Sequence, residues 1–258
     1  MKKYGSKLKD FGFLLWRWVN PIIDPFRLIG AIPGYFFFFR DWNRYSRLKD
    51  SEKIRLGNVY PCIHDKTETT KFPSHYFYQD IWAFKSIYES GTDYHVDVGS
   101  RIDFIGFLTA ITKVTFIDIR PLVAELENLN SKKGSILTMP YENNSVQSLS
   151  CLHVAEHIGL GRYGDPLDVF GTQKACKELS RILALGGKLY FSLPIGKPVL
   201  CFNAHRVHSP QQIIDYFSDL KLIELSGIDD QENFKRNINI SILESSNYAC
   251  GLFLFTKK

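Results

Sequence analysis

The sequence predicts an α/β domain built on a doubly wound, mostly parallel seven-stranded sheet with a C-terminal antiparallel strand, preceded by a helical N-terminal extension. Three observations predict it. From about residue 72, short apolar runs alternate with amphipathic helical segments, the pattern of a parallel sheet covered on both faces. The alternation stops after the sixth strand, where the polar stretch 229–246 leads to one last apolar run, so the final two strands are expected to pair antiparallel. The first seventy or so residues lack this rhythm and are rich in cations and large rings.

The elements follow in order. Residues 72–90 read as a helix, because Tyr76, Ile81, Phe84, Ile87 and Tyr88 recur near helical spacing and Gly91 ends the run. A buried strand at 95–99 is followed by a short helix at 103–111 and a second strand at 114–119. Pro121, whose fixed φ suits a first helical turn, opens the next expected helix. A third short strand is expected at 135–138, a fourth at 146–152, a helix at 166–183 and a fifth strand at 188–193. Ser209-Pro210 signals the cap and first turn of a helix running to about Ser218. Strands at 220–225 and 250–256 complete the sheet.

The formal charge of +5 conceals an asymmetry. Residues 1–55 hold twelve Lys/Arg against five acids, a balance of +7, and the remainder holds twenty against twenty-two. The same first fifth contains Phe11, Phe13, Trp16, Trp18, Phe26, Tyr35, Phe36, Phe37, Phe38 and Phe39. A basic, ring-rich arm of this kind meets an anionic surface, either phospholipid headgroups or nucleic acid. Its longest uncharged run, residues 28–39, contains Pro33 and is well short of the roughly twenty residues that span a bilayer. The apolar stretch 11–16 is too short for a secretory signal. Cys62, Cys151, Cys176, Cys201 and Cys250 form no C-x-x-C pair, which argues against a disulfide framework or zinc knuckle and for a reducing cytoplasm. With 45% hydrophobic and 23% charged residues the chain is neither disordered nor fibrous. The expected organisation is an extension at 1–71 and the α/β domain at 72–258.

In open α/β sheets ligands bind outside the carboxyl ends of the strands, where the strand order reverses. The first strand runs through Asp97 into Gly99 and Ser100, a turn that allows close backbone approach, with a carboxylate to anchor a cationic or hydroxylated group. The second strand ends at Asp118, where an acid can hold the two hydroxyls of a ribose. The fingerprint G-x-G-x-x-G is missing, because Gly99 is followed by six other residues before Gly106. A nucleoside without a pyrophosphate therefore fits better than a dinucleotide.

Val96-Asp97-Val98-Gly99-Ser100, Asp118, Met139-Pro140-Tyr141 and Leu152-His153-Val154-Ala155-Glu156-His157 resemble the successive cofactor motifs of class I S-adenosylmethionine-dependent methyltransferases. More narrowly, residues 76–230, with Phe202-Asn203-Ala204-His205-Arg206, are similar to an uncharacterised methyltransferase-like family whose bacterial members often lie among genes for surface polysaccharides. The resemblance implies that Asp97, Gly99 and Ser100 line the methionine and ribose portion of S-adenosyl-L-methionine. It implies that Asp118 holds the ribose, Ile119 packs on the adenine, and Leu137, Thr138 and Met139 flank the other face of the ring, with His153 beside the cofactor. Where many relatives place an acid for the adenine amino group, this chain has Ser135.

Methyl transfer from a sulfonium to a hydroxyl needs alignment and a base, and histidine titrates in the right range. His153, His157, His205 and His208 all follow the fourth or fifth strand. His205 is the first candidate for the base and His157 the second, with Arg206, Arg162 and Tyr163 as acceptor contacts. His153, Glu156 and His157 stand at i, i+3 and i+4, a triplet that also has metal-ligand chemistry, although no metal is assigned. The expected activity is O-methylation of a sugar in a cell-surface glycan or its lipid-linked precursor, performed in the cytoplasm as a peripheral protein at the inner membrane face. Residues 1–55 would supply the membrane contact, and self-association stays open. An RNA-directed methyltransferase and a non-catalytic binding module are the alternatives. The near-neutral main domain and the lack of an Asn/Asp-Pro-Pro-Tyr tetrad after the fourth strand count against nucleic acid.

Overall fold

In the computed structural model, which describes Val19 and residues 24–258, the chain separates into two units, residues 1–71 and 72–258. The cations Lys2 to Arg17 and the rings Phe11, Phe13, Trp16 and Trp18 lie outside the described residues. In the first unit, helix α1 (Pro25–Tyr45) carries Pro33 inside it. The segment around Ile63 packs so closely on one side of α1 that a Cβ on Gly34 would come within 2.6 Å of the Ile63 carbonyl oxygen. Leu28, Ile32, Phe36 and Phe39, spaced by three or four residues, are exposed, as is Tyr35 beside them. Among the described residues, no helix is long and apolar enough to cross a membrane.

The second unit opens with α2 (Ser74–Ser90), which buries Gln79, Trp82, Ala83 and Ile87 and stops at Gly91, where φ is +64°. There follow β1 (Tyr94–Val98), α3 (Ile102–Leu108), β2 (Lys113–Asp118), β3 (Leu129–Lys133), β4 (Val146–Leu152), α4 (Gly171–Ile182) and β5 (Leu183–Ile195). A small hairpin of β6 (Val199–Cys201) and β7 (His205–Val207) precedes α5 (Pro210–Tyr216). The chain ends with β8 (Leu220–Ile228), β9 (Phe234–Lys235), α6 (Ile240–Ser245) and β10 (Ala249–Lys257). The sheet order is β3-β2-β1-β4-β5-β10-β8-β9. β10 runs antiparallel between β5 and β8, which is the expected C-terminal arrangement, and β9 adds an eighth, two-residue edge strand.

Side-chain alternation sorts the core onto the two faces of the sheet. Phe191, Phe253 and Phe255 point to the face covered by α4 and α5, where Phe217 packs edge-on against Phe191 at 4.9 Å. Tyr190, Leu252 and Leu254 point to the face covered by α2 and α3, with Trp82 and Phe104. β4, buried at six of its seven positions, is central, and its sequence reads as a continuous apolar and small-residue run.

Two expected elements are corrected. No helix follows Pro121: residues 119–128 are irregular, with Leu122 half-buried against the core and Val123 97% exposed, so the stretch has no continuous apolar helical face. The third strand lies at Leu129–Lys133, and 135–138 is a tight turn closed by a bridge between Ser135 and Thr138. β3 is an edge strand with the polar sequence LNSKK, whose lysines discourage pairing with another chain and hide its strand character.

Candidate active site

The strand order reverses between β1 and β4, so the loops that follow these two strands part and leave a crevice at their carboxyl ends. A cavity of about 560 Å³ occupies it, walled by Gly99, Asp118, Ile119, Leu137, His153, His157 and Tyr163 among others. Each of these was singled out in the sequence.

Gly99 turns the chain with φ +67°, and a Cβ there would lie 3.2 Å from Val154 Cγ1 and 3.3 Å from Asp118 Oδ2. Asp118 closes β2 and accepts the Arg120 N–H at 2.7 Å through Oδ1. Ser135 faces the same cavity and accepts the Leu137 N–H at 3.2 Å.

Asp97 and Ser100, expected to line the cofactor, lie beneath the cavity rather than in its wall. Asp97 is fully buried. Its carboxyl accepts the Ser100 N–H at 3.0 Å, the Ser100 hydroxyl at 2.6 Å and the Ser150 hydroxyl. The Ser100 Oγ also accepts the Leu152 N–H at 3.1 Å, which ties the loop after β1 to the end of β4. Burial raises Asp97 to about 7 against these hydrogen bonds. Next to it, His95 is buried between the hydroxyls of Ser148 and Ser150, each at 2.8 Å, and burial holds its imidazole down to about 3. Thr138 and Met139 also miss the wall: the Met139 N–H donates to Glu178 Oε1 at 2.7 Å, and its side chain enters the core.

After β4 the chain turns sharply at His153, whose φ is +57°, and forms one short turn at Ala155–His157. The segment is a single short turn that begins after His153, so the i, i+3, i+4 spacing of His153, Glu156 and His157 does not make a helical face. Glu156 is buried, with Oε1 3.5 Å from His157 Nε2 and Oε2 without a partner. Burial raises Glu156 to about 8 and lowers His157 to about 4. Both are therefore neutral at pH 7, with His157 donating its Nδ1–H to the Ala204 carbonyl at 2.5 Å.

The segment 158–170 arches over the cavity. Tyr163 sits edge-on to His157 at 5.6 Å and between the guanidinium groups of Arg120, at 4.3 Å, and Arg162, at 5.0 Å. Arg162 also donates to the Ala204 carbonyl at 3.1 Å. Arg206, expected on the acceptor, instead donates to the carbonyls of Ile158 at 2.6 Å and Asp168 at 3.0 Å, clasping both ends of the arch. His205, the first candidate for the base, lines neither cavity described here, and its ring lies 5.2 Å from that of Tyr248.

A second cavity of about 530 Å³ abuts the first, with His75, Tyr76, His153, Asp230, Glu232 and Tyr248 in its wall. His153 lines both cavities. Sequence reasoning missed His75, Tyr76 and Tyr248, since they come from the opening helix and the start of β10. The only signal was a run of polar and aromatic residues at a helix start, which reads equally as a cap.

Residues 125–247 match a family model described as "Caenorhabditis protein of unknown function, DUF268". No curated protein matches the sequence. Among solved structures the chain is similar to the N-methyltransferase NodS from Bradyrhizobium japonicum WM9 in complex with S-adenosyl-L-homocysteine. That match has TM-score 0.52 and 14% identity and covers 84% of this chain and 97% of that one. It is similar also to geranyl diphosphate methyltransferase in complex with SAM, with TM-score 0.52 and 13% identity over 70% of this chain and 85% of that one. At such identities the likeness establishes architecture: residues 72–258 have the α/β fold with antiparallel C-terminal strands on which these methyltransferases are built.

Proposed function

We propose that the chain is an S-adenosylmethionine-dependent methyltransferase acting on a hydroxyl of a glycan or its lipid-linked precursor at a membrane surface. The observation that carries the reading is the pair of cavities that meet at His153. The first suits a nucleoside: Gly99 is the cradle that a Cβ would fill, Asp118 offers a carboxylate for two vicinal hydroxyls, and Ile119 and Leu137 supply apolar walls. When bound, the sulfonium supplies the methyl group.

The second cavity suits a hydroxyl-rich acceptor. Tyr76 and Tyr248 offer ring faces for the apolar side of a sugar, and Asp230 and Glu232 offer acceptors for its hydroxyls. Asp230 is itself oriented by the N–H groups of Asn247 and Tyr248, at 2.8 and 2.9 Å. His153 fixes the acceptor oxygen where the cavities join. Neutral His157, whose Nδ1–H is committed to Ala204, lies in the wall of the first cavity with Nε2 3.5 Å from the Glu156 carboxyl, and this pair would receive the departing proton. The arch through Tyr163 excludes water from the first cavity.

Membrane contact rests on α1, where exposed Leu28, Ile32, Tyr35, Phe36 and Phe39 form an apolar stripe followed by Arg40, Arg44 and Arg47. Rings and cations in that arrangement favour an anionic interface, with each cation contributing about 1 kcal/mol. Calorimetric titration with S-adenosylmethionine and S-adenosylhomocysteine tests the enzyme reading. Binding is expected in the wild type and should weaken at least about tenfold in Asp118→Ala, which loses a charge-assisted hydrogen bond. A wild type that binds neither compound overturns it.

A further inference from the structure

Three side chains from distant parts of the sequence meet behind the second cavity: His75 in the first turn of α2, His153 after β4, and Cys250 near the start of β10. One ring nitrogen from each histidine and the Cys250 sulfur lie within 4.8 Å of one another. Two observations set this cluster apart from a chance meeting. Both ring nitrogens of His153 are buried and have no hydrogen-bond partner, whereas buried polar atoms in folded proteins are paired in nine cases of about ten. The Cys250 thiol is buried too, and its one polar contact is the Gly251 carbonyl at 3.9 Å.

The backbone aims these groups inward at a cost. His153 holds a left-handed conformation, φ +57°, that a residue with a side chain adopts at some expense. Its ring is fixed edge-on by Tyr76 at 5.1 Å and His75 at 5.8 Å. The His75 ring is in turn stacked on Tyr248 at 5.3 Å, with only 20° between the planes. Packing therefore orients both imidazoles without using their nitrogens, and leaves those nitrogens for a ligand.

We propose that His75, His153 and Cys250 bind a divalent transition-metal ion, with zinc as the best match. Two imidazoles and a thiolate are the donors that zinc takes, whereas magnesium and calcium require oxygen. Bonds of about 2.1 Å to nitrogen and 2.3 Å to sulfur put the ligand atoms of a tetrahedral site roughly 3.5 Å apart. Coordination therefore requires the two rings and the thiol to draw closer than the 4.8 Å within which their ligand atoms now lie. His75 and His153 stand in the wall of the second cavity and Cys250 lies behind it, so the fourth coordination position opens to the cavity. Three protein ligands with an open fourth position are the arrangement of zinc sites that act on a substrate oxygen. An ion here would hold and acidify a hydroxyl entering that cavity. Metal binding itself does not depend on the methyl-transfer reading, and the two fail separately.

The test uses the full chain stripped with chelator and titrated with Co²⁺, then with Zn²⁺ in competition. One equivalent of Co²⁺ is expected to bind, with tetrahedral d–d absorption and a thiolate-to-cobalt charge-transfer band. Cys250→Ser should abolish the charge-transfer band, and His75→Gln should weaken Zn²⁺ binding more than about tenfold. Should buried Cys250→Ser fail to fold, His75→Gln, at a partly exposed ring, carries the test together with elemental analysis of the purified protein. Three results would overturn the proposal: sub-stoichiometric Co²⁺, a charge-transfer band that persists in Cys250→Ser, or Zn²⁺ affinity unchanged in His75→Gln.

Discussion

Exchanging His95 or Asp97 should expose two opposed pH dependences that cancel in the wild type. Burial holds His95 down to about 3 and Asp97 up to about 7, against ordinary values of 6.5 and 3.8. The depressed histidine contributes stability that is present above pH 6.5 and lost as pH falls, because the unfolded chain gains a proton that the folded one refuses. The raised carboxyl contributes stability that is present below pH 3.8 and lost as pH rises through about 7, because the unfolded chain releases a proton that the folded one keeps. Between these limits each slope is about 1.4 kcal/mol per pH unit and their signs are opposite. Relative to the wild type, the unfolding free energy of His95→Gln should therefore fall by about 1.4 kcal/mol for each unit of pH from about 4 to 6.5. That of Asp97→Asn should rise by the same amount, and the double variant should run parallel to the wild type. Urea denaturation at three pH values in this window measures all four slopes. Differences that stay constant with pH in both single variants would refute the reasoning, since they would mean that the groups titrate in the fold as they do in water.

Other expectations follow from single contacts. Gly99→Ala adds a Cβ at φ +67° against Val154 and Asp118, so unfolding free energy should drop by about 1–2 kcal/mol and the calorimetric Kd for S-adenosylmethionine should rise. Arg206→Ala releases the carbonyls of Ile158 and Asp168, and limited proteolysis should then cut within 158–170 faster than in the wild type; an unchanged cleavage rate would show that the arch is held by other means. Phe36→Ser combined with Phe39→Ser removes two exposed rings worth about 2 kcal/mol each on burial, and should release the full chain from phosphatidylserine vesicles in a sedimentation assay. Ser209→Ala breaks the capping box with Gln212 and should cost about 1 kcal/mol of stability by thermal denaturation.

The parts of this protein that could be read in its sequence are those where local pattern and tertiary demand agree. β4 was expected at the residues it occupies because a central parallel strand is buried on both faces, and the Ser209-Pro210 cap because its geometry is local. β3 was misplaced because an edge strand needs few apolar residues, and the apolar Ile136-Leu137 nearby belongs to a turn. The placement of Gly99 and Asp118 in the cavity wall was legible from their positions at strand ends. The bracing of the loop by Asp97 was not legible, because a carboxyl at a strand end can serve a ligand or brace the loop, and the hydroxyls of Ser100 and Ser150 that it accepts from come from the fold. Arg206 likewise exchanged a ligand for two carbonyls of its own chain. His75 and Tyr248 were invisible because their meeting with His153 is a property of the folded sheet alone.

Tyr163, in contact with Arg120, Arg162 and His157, stands over the first cavity. The arch is fixed at its base, where Arg206 clasps Ile158 and Asp168 and where a Cβ on Gly159 would run into the Asp168 carbonyl. Its tip is held by the ring and cation contacts of Tyr163, by the Arg162 hydrogen bond to the Ala204 carbonyl at 3.1 Å, and by Asp165, which accepts the Gly159 N–H at 2.6 Å. Lifting the ring gives up its contacts with both Arg120 and His157, together about 1–3.5 kcal/mol, so the closed form outnumbers the open one at least about fivefold. A small tip on an anchored base moves in nanoseconds to microseconds, far faster than the turnover of about 10 per second common among enzymes. Movement of this tip would uncover the first cavity while the base of the arch stays in place, at a cost far below that of unfolding the segment.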